Sequence, residues 1–95
     1  MGAAGTSLQR IAKYRSVLAS AAVAAHTCAE QKFAVPGVQA ADAVIAVNKP
    51  SAQAGLGIKG ARATGANSVG VNFCNTTASP ITPRAGETYL FAVVQ

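Results

Sequence analysis

Few residues in this 95-residue chain carry side chains suited to chemistry, and their spacing limits what that chemistry is. His26 is the only histidine, and the acids are Glu30, Asp42 and Glu87, scattered along the chain. No motif joins a nucleophile to a base and an orienting group. Three acids on separate segments give little support to hydrolysis by paired carboxylates. His26 reads as a surface residue in a turn before a strand, and Asp42 as the end of a turn. The string Gly55-Leu56-Gly57-Ile58-Lys59-Gly60 matches G-x-G-x-x-G in letters. A dinucleotide site needs that string between a strand and a helix whose N-terminus faces the pyrophosphate. Gly65 and Asn67 would interrupt such a helix, and no acid follows at the distance of a ribose partner. The glycines read instead as sharp bends or close packing in a strand. The sequence therefore points to no catalytic residues, no cofactor and no metal ligand set.

Cys28 and Cys74 allow one disulfide. Cys74 follows Phe73 and points away from the face of Val69, Val71 and Phe73, while Cys28 shares its parity with Glu30 and Lys32. Both lean outward, which argues against a bridge across the core, so the expectation is two free thiols in a reducing compartment. Arg10, Lys13 and Arg15 precede an alanine-rich run, Ser16 to Ala25, that loosely resembles a secretory leader. That run is short, is interrupted by Ser16 and Ser20, and is rich in Ala rather than Leu, so it is not read as one. No apolar stretch approaches the roughly 20 residues of a membrane span.

The elements that would position these residues are short and extended. Ser68 to Phe73 alternates Val69, Val71 and Phe73 against Ser68, Gly70 and Asn72, the period of a strand with one buried face. With Ala43 to Val47 and Leu56 to Thr64 it suggests three neighbouring strands over Ala43 to Phe73. Thr27 to Val35 reads as a strand closed by the turn Pro36-Gly37. Glu87 to Val94 reads as a closing strand with Tyr89, Phe91 and Val93 on the core face. Asn48 to Gly55, Gly65 to Asn67 and Asn75 to Ala85 are connections, and Ser16 to Ala25 is an extended segment. Met1 to Ser7 carries no pattern. Leu8 to Tyr14 keeps helical spacing for one turn only, too little to stand alone, so residues 1–15 read as a flexible basic arm. The expected fold is all-β: a small β-sandwich or barrel-like domain over residues 16–95 with an extended N-terminal arm.

Composition sets the scale of that domain. Hydrophobic residues make up 51% of the chain but aromatic ones only 5%, so each buried position removes little area from water. A core of small residues is modest, and part of the apolar surface is expected to meet another subunit or a larger assembly. Eight Lys and Arg against three Asp and Glu leave a net charge of +5, which favours an acidic partner surface.

Several linked motifs recur in order: Glu30 to Val35 (E-Q-x-F-x-V), Val47 to Pro50 (V-N-K-P), Ala54 to Ile58 (A-G-L-G-I), Val71 to Asn75 (V-x-F-x-N) and Ile81 to Tyr89 (I-T-P-x-x-G-E-x-Y). In this succession the chain resembles a family of small virion proteins of tailed bacteriophages, over about two thirds of its length. It departs from that family at Lys59, Ala63 and Gly65, where the family tends to be more apolar or acidic.

The resemblance implies a non-enzymatic all-β domain displayed on the particle, foremost as a capsid decoration (cement) or head-fibre protein. Its partners would be the major capsid protein and further copies of itself, as a homotrimer or homodimer on local symmetry axes. No membrane and no small-molecule cofactor would be involved. Its place would be the capsid surface of the virion, after assembly in the host cytoplasm. The contact is expected on the basic arm, at Leu8, Arg10, Ile11, Lys13, Tyr14 and Arg15. A tail or neck subunit is the alternative, and a DNA-binding module using the positive charge is the weaker one.

Overall fold

β-branched and aromatic residues on one parity let a segment lie half-buried in a sheet, and the competing helical spacing at Leu8 to Tyr14 lasts one turn. The computed structural model describes residues 10–95. Among the described residues there is no helix, and the strands are β1 (Ile11–Val17), β2 (Cys28–Ala34), β3 (Ala43–Asn48), β4 (Leu56–Gly65), β5 (Ser68–Asn75) and β6 (Thr88–Val94). They form two antiparallel three-stranded sheets, in the spatial orders β1-β6-β3 and β2-β5-β4. The fold is all-β, as the alternation predicts.

The two central strands supply most of the core. Tyr89, Phe91 and Val93 of β6 and Val69, Val71 and Phe73 of β5 are all fully buried. Phe33 of β2 joins the sheets, with its ring centroid 4.7 Å from that of Tyr89 and 5.0 Å from that of Phe91. Phe73 meets Tyr89 edge-on at 6.3 Å. Few large side chains thus hold the sheets together, and aromatic pairs in tilted and edge geometry contribute beyond their buried area.

Buried polar groups fix the loops. The Gln31 amide donates to the Ala21 carbonyl at 2.6 Å and accepts from the Ala21 N–H at 3.1 Å, which holds the Leu18 to Val23 segment over the core. Asn75 donates to the carbonyls of Val23 and Ser79 and accepts from the backbone and hydroxyl of Thr77. Both amides are satisfied at each end, as burial requires. Gly55 has φ +79°, and a side chain there would also overlap the Thr77 methyl, so the turn into β4 requires glycine. The glycine-rich string is therefore a turn followed by strand, with Gly57 and Gly60 on β4.

Three expectations are corrected. The flexible arm over residues 1–15 is, from Ile11 onward, sheet: β1 pairs with β6 along its whole length, Ile11 opposite Val94 and Val17 opposite Thr88. Residues 1–9 lie outside the described residues. The strands of Ala43 to Phe73 are not three neighbours. β4 and β5 form a hairpin, whereas β3 crosses to the other sheet and pairs with β6. Finally, Cys28 and Cys74 are not free thiols but a disulfide. Their outward parity holds, but it argues only against a bridge between sheets. They sit opposite each other on adjacent strands, where two outward side chains meet without crossing the core. The bond leaves the expectation of free thiols in a reducing compartment without support.

Candidate interaction face

The outer faces of the two sheets differ in chemistry. On β2-β5-β4 the registers place Cys28, Cys74 and Gly57 in one row, Glu30, Asn72 and Gly60 in the next, and Lys32, Gly70 and Arg62 in a third. The Arg62 guanidinium donates to both Glu30 oxygens, at 2.9 and 3.1 Å, across the intervening strand. That reach needs Gly70 beneath it, because a Cβ there would lie 2.5 Å from the Glu30 carboxyl and 2.8 Å from the Thr64 methyl. The Arg62 hydrogen bonds hold the Glu30 carboxyl below its usual pKa. The Thr64 hydroxyl donates to Ser68 Oγ at 2.6 Å. A shallow depression beside the pair is lined by Glu30, Lys59, Gly60, Ala61, Arg62 and Asn72. This face is polar: Glu30 and Arg62 satisfy each other, while Lys32 and Lys59 are exposed.

The outer face of β1-β6-β3 is apolar. Ile11, Lys13, Arg15 and Val17 point outward from β1, beside Val94, Ala92, Leu90 and Thr88 of β6. Ala43, Ala46 and Asn48 of β3 complete the rows, and the bulge between Val44 and Ala46 leaves Ile45 exposed. Ile11 is 64% exposed, and Val17 and Ile45 are each 55% exposed. Single exposed aliphatics are ordinary on a protein surface, whereas several on one sheet face are a feature to account for. Lys13 and Arg15 stand among them, two residues apart on the outward parity of β1.

The residues expected at the contact divide accordingly. Ile11, Lys13 and Arg15 lie on this face. Arg10 precedes β1 and is exposed, with its guanidinium 3.4 Å from the Gln95 side-chain oxygen. Tyr14 faces inward, packs against the core and donates its hydroxyl to Gln95 Oε1 at 2.8 Å, so it anchors β1 rather than meeting a partner. Leu8 lies outside the described residues. Sequence reasoning missed Val17, Ile45, Leu90, Ala92 and Val94. The signal was present, since Ala43 to Val47 and Tyr89 to Val94 lack the polar alternate positions of a strand with a solvated face.

The loops at one end carry the other cluster of reactive groups. Lys49 Nζ donates to Glu87 Oε1 at 2.8 Å, and the Ser51 hydroxyl donates to the other Glu87 oxygen. Arg84 Nη1 donates to Ser51 Oγ at 2.7 Å. The bonds from Lys49 and then Ser51 hold the Glu87 carboxyl below its usual pKa. A serine and a lysine in proximity suggest a nucleophile and its base, but Nζ is 3.4 Å from Ser51 Oγ and is committed to Glu87. Gln53 adds a matching pair, donating to the Thr82 carbonyl and accepting from the Arg84 N–H. The arrangement staples the β3–β4 loop to the β5–β6 loop. Among the described residues, no group of three or more His, Cys, Asp or Glu could hold a metal ion.

The chain matches no protein-family model, no curated protein and no solved structure.

Proposed function

We propose that this chain is a structural protein of a tailed-bacteriophage particle, a decoration protein that binds the outside of the head and stabilises the shell. The observation that carries the reading is the apolar, basic outer face of β1-β6-β3 on a small domain stapled at its loops and across its other sheet. Such a protein runs no reaction. It needs a rigid body, so that little conformational entropy is lost on docking, and a flat surface to cover. The order of the motifs from Glu30 to Tyr89 supports the same reading, since it resembles small virion proteins. The major capsid protein is the proposed partner, with copies arranged as trimers or dimers on the local symmetry axes of the shell.

Purified protein mixed with heads stripped of it should co-sediment and saturate at a fixed number of copies per capsomer. Absence of binding to heads, together with binding to isolated tails or necks, would replace this reading with a tail or neck subunit. Binding to DNA alone, falling steeply with salt, would replace it with a nucleic-acid module.

A further inference from the structure

We infer that the β1-β6-β3 face docks on an acidic protein surface, carboxylates flanking an apolar strip, and that it is not the surface through which copies of this chain associate. The inference rests on the virion reading and adds the chemistry of the partner to it.

Charge complementarity carries the argument. The face presents Ile11 and Val17 to solvent, with Lys13 and Arg15 among them and Ile45 exposed at the β3 bulge on its edge. Covering it removes water from both cations, which is favourable only if the partner supplies counter-charge. A second copy has little to spare. Glu30 is held by Arg62, and Glu87 by Lys49 and Ser51. Asp42 accepts from the Gln39 N–H at 2.8 Å and from Gln95 Nε2 at 2.9 Å. Residues 1–9 contain no acid. Two copies placed face to face would therefore bury four cations against apolar neighbours, with only the two Asp42 carboxylates, whose partners Gln39 and Gln95 are neutral, left without a cation of their own.

The apolar residues separate a protein partner from other anions. A phosphate backbone would satisfy Lys13 and Arg15 but leave the aliphatic groups against a charged polymer, and no aromatic side chain points outward here for a base to stack on. An anionic membrane would accept the aliphatic groups at a protruding tip, but here they are spread over the face of a sheet with its backbone edges beside them. A protein surface with acids about 7 Å apart, the spacing of alternate strand residues, suits both features.

The test measures binding of the full-length protein to stripped heads, to isolated tails, to vesicles of equal parts phosphatidylglycerol and phosphatidylcholine, and to a DNA duplex. Sedimentation equilibrium of the protein alone runs in parallel. The variants are Lys13→Glu with Arg15→Glu, Ile11→Ser with Ile45→Ser, the conservative swap Lys13→Arg with Arg15→Lys, and Lys32→Glu on the opposite face. Circular dichroism confirms that each is folded. The expected result is a loss of roughly tenfold or more in head affinity for the first two variants, with the swap and the opposite-face variant close to wild type. Heads bound equally by all variants would overturn the inference and leave the virion reading standing. Binding to tails alone, lost in the same two variants, would overturn the head reading and leave the inference standing. Face-dependent binding to vesicles or DNA, self-association broken by Ile11→Ser with Ile45→Ser, or no binding to any particle would overturn the inference.

Discussion

Cys28 on β2 and Cys74 on β5 are directly opposed and joined by a disulfide on the outer face of their sheet, at a sequence separation of 46. The loop that the bond closes holds β2, β3, β4 and nearly all of β5. In the chain-entropy account, closing a loop of that length stabilises the fold by about 4 kcal/mol. Reduction, or Cys28→Ser with Cys74→Ser, should lower unfolding stability by about 2–4 kcal/mol in urea titrations while the far-ultraviolet spectrum stays β-rich. Equal midpoints for the oxidised and reduced protein would show that the bond adds nothing.

Tyr89 is fully buried, and its hydroxyl has no hydrogen-bond partner among the described residues. Burial, with the Glu87 charge adding to it, pushes its pKa up to about 12. The folded state thus favours the protonated phenol. The resulting stability is complete below the unfolded value, near pH 10, and is lost as the pH rises toward 12. Tyr89→Phe keeps the ring contacts and removes an unpaired polar group. It should leave neutral-pH stability unchanged or raise it by about 1 kcal/mol, and it should flatten the alkaline limb. A clear loss at neutral pH would reveal a partner for the hydroxyl.

At the acid end the sign reverses. Glu30, Asp42 and Glu87 all have lowered pKa values, each chiefly through a side-chain hydrogen bond, from Arg62, Gln95 and Lys49 respectively. Their contribution is present above the unfolded carboxylate range and is lost as the pH falls through the lower folded values, so stability should decline below about pH 4.5. Glu87→Gln should reduce the slope of that decline in thermal melts at low salt. An unchanged slope would mean that the loop staple adds nothing to the acid dependence.

Gly55→Ala should cost about 1–2 kcal/mol, since it places a Cβ at positive φ and against the Thr77 methyl. The same change at Gly57, where a Cβ meets open space, should leave the thermal midpoint nearly unchanged. Similar midpoints for the two variants would count against the turn geometry.

Side-chain parity within a strand was legible in the sequence, and the partnering of strands was not. Ser68 to Phe73 and Tyr89 to Val93 place large apolar residues on alternate positions, so their buried faces could be assigned. β1 could not be read this way, because its inward parity is Ala12, Tyr14 and Ser16, with one large residue, while Ile11 and Val17 point outward among cations. What makes it a strand is β6, more than seventy residues later in the chain, together with the bond from Tyr14 to Gln95. The cysteines show the same limit. Their outward direction follows from local alternation, but their opposition depends on the register of β2 on β5, which pairs Lys32 with Gly70 and Cys28 with Cys74. The interaction face was partly legible, in Ile11, Lys13 and Arg15. The rest of it required knowing that β3 and β6 lie side by side.

The most direct test of the proposed function is the temperature at which DNA-filled heads stripped of this protein release their DNA, measured with and without added protein. A rise that saturates with bound copies, and that is absent with Lys13→Glu and Arg15→Glu, is the predicted result. Heads that bind the protein to saturation yet rupture at the same temperature as bare heads would contradict a stabilising role on the shell.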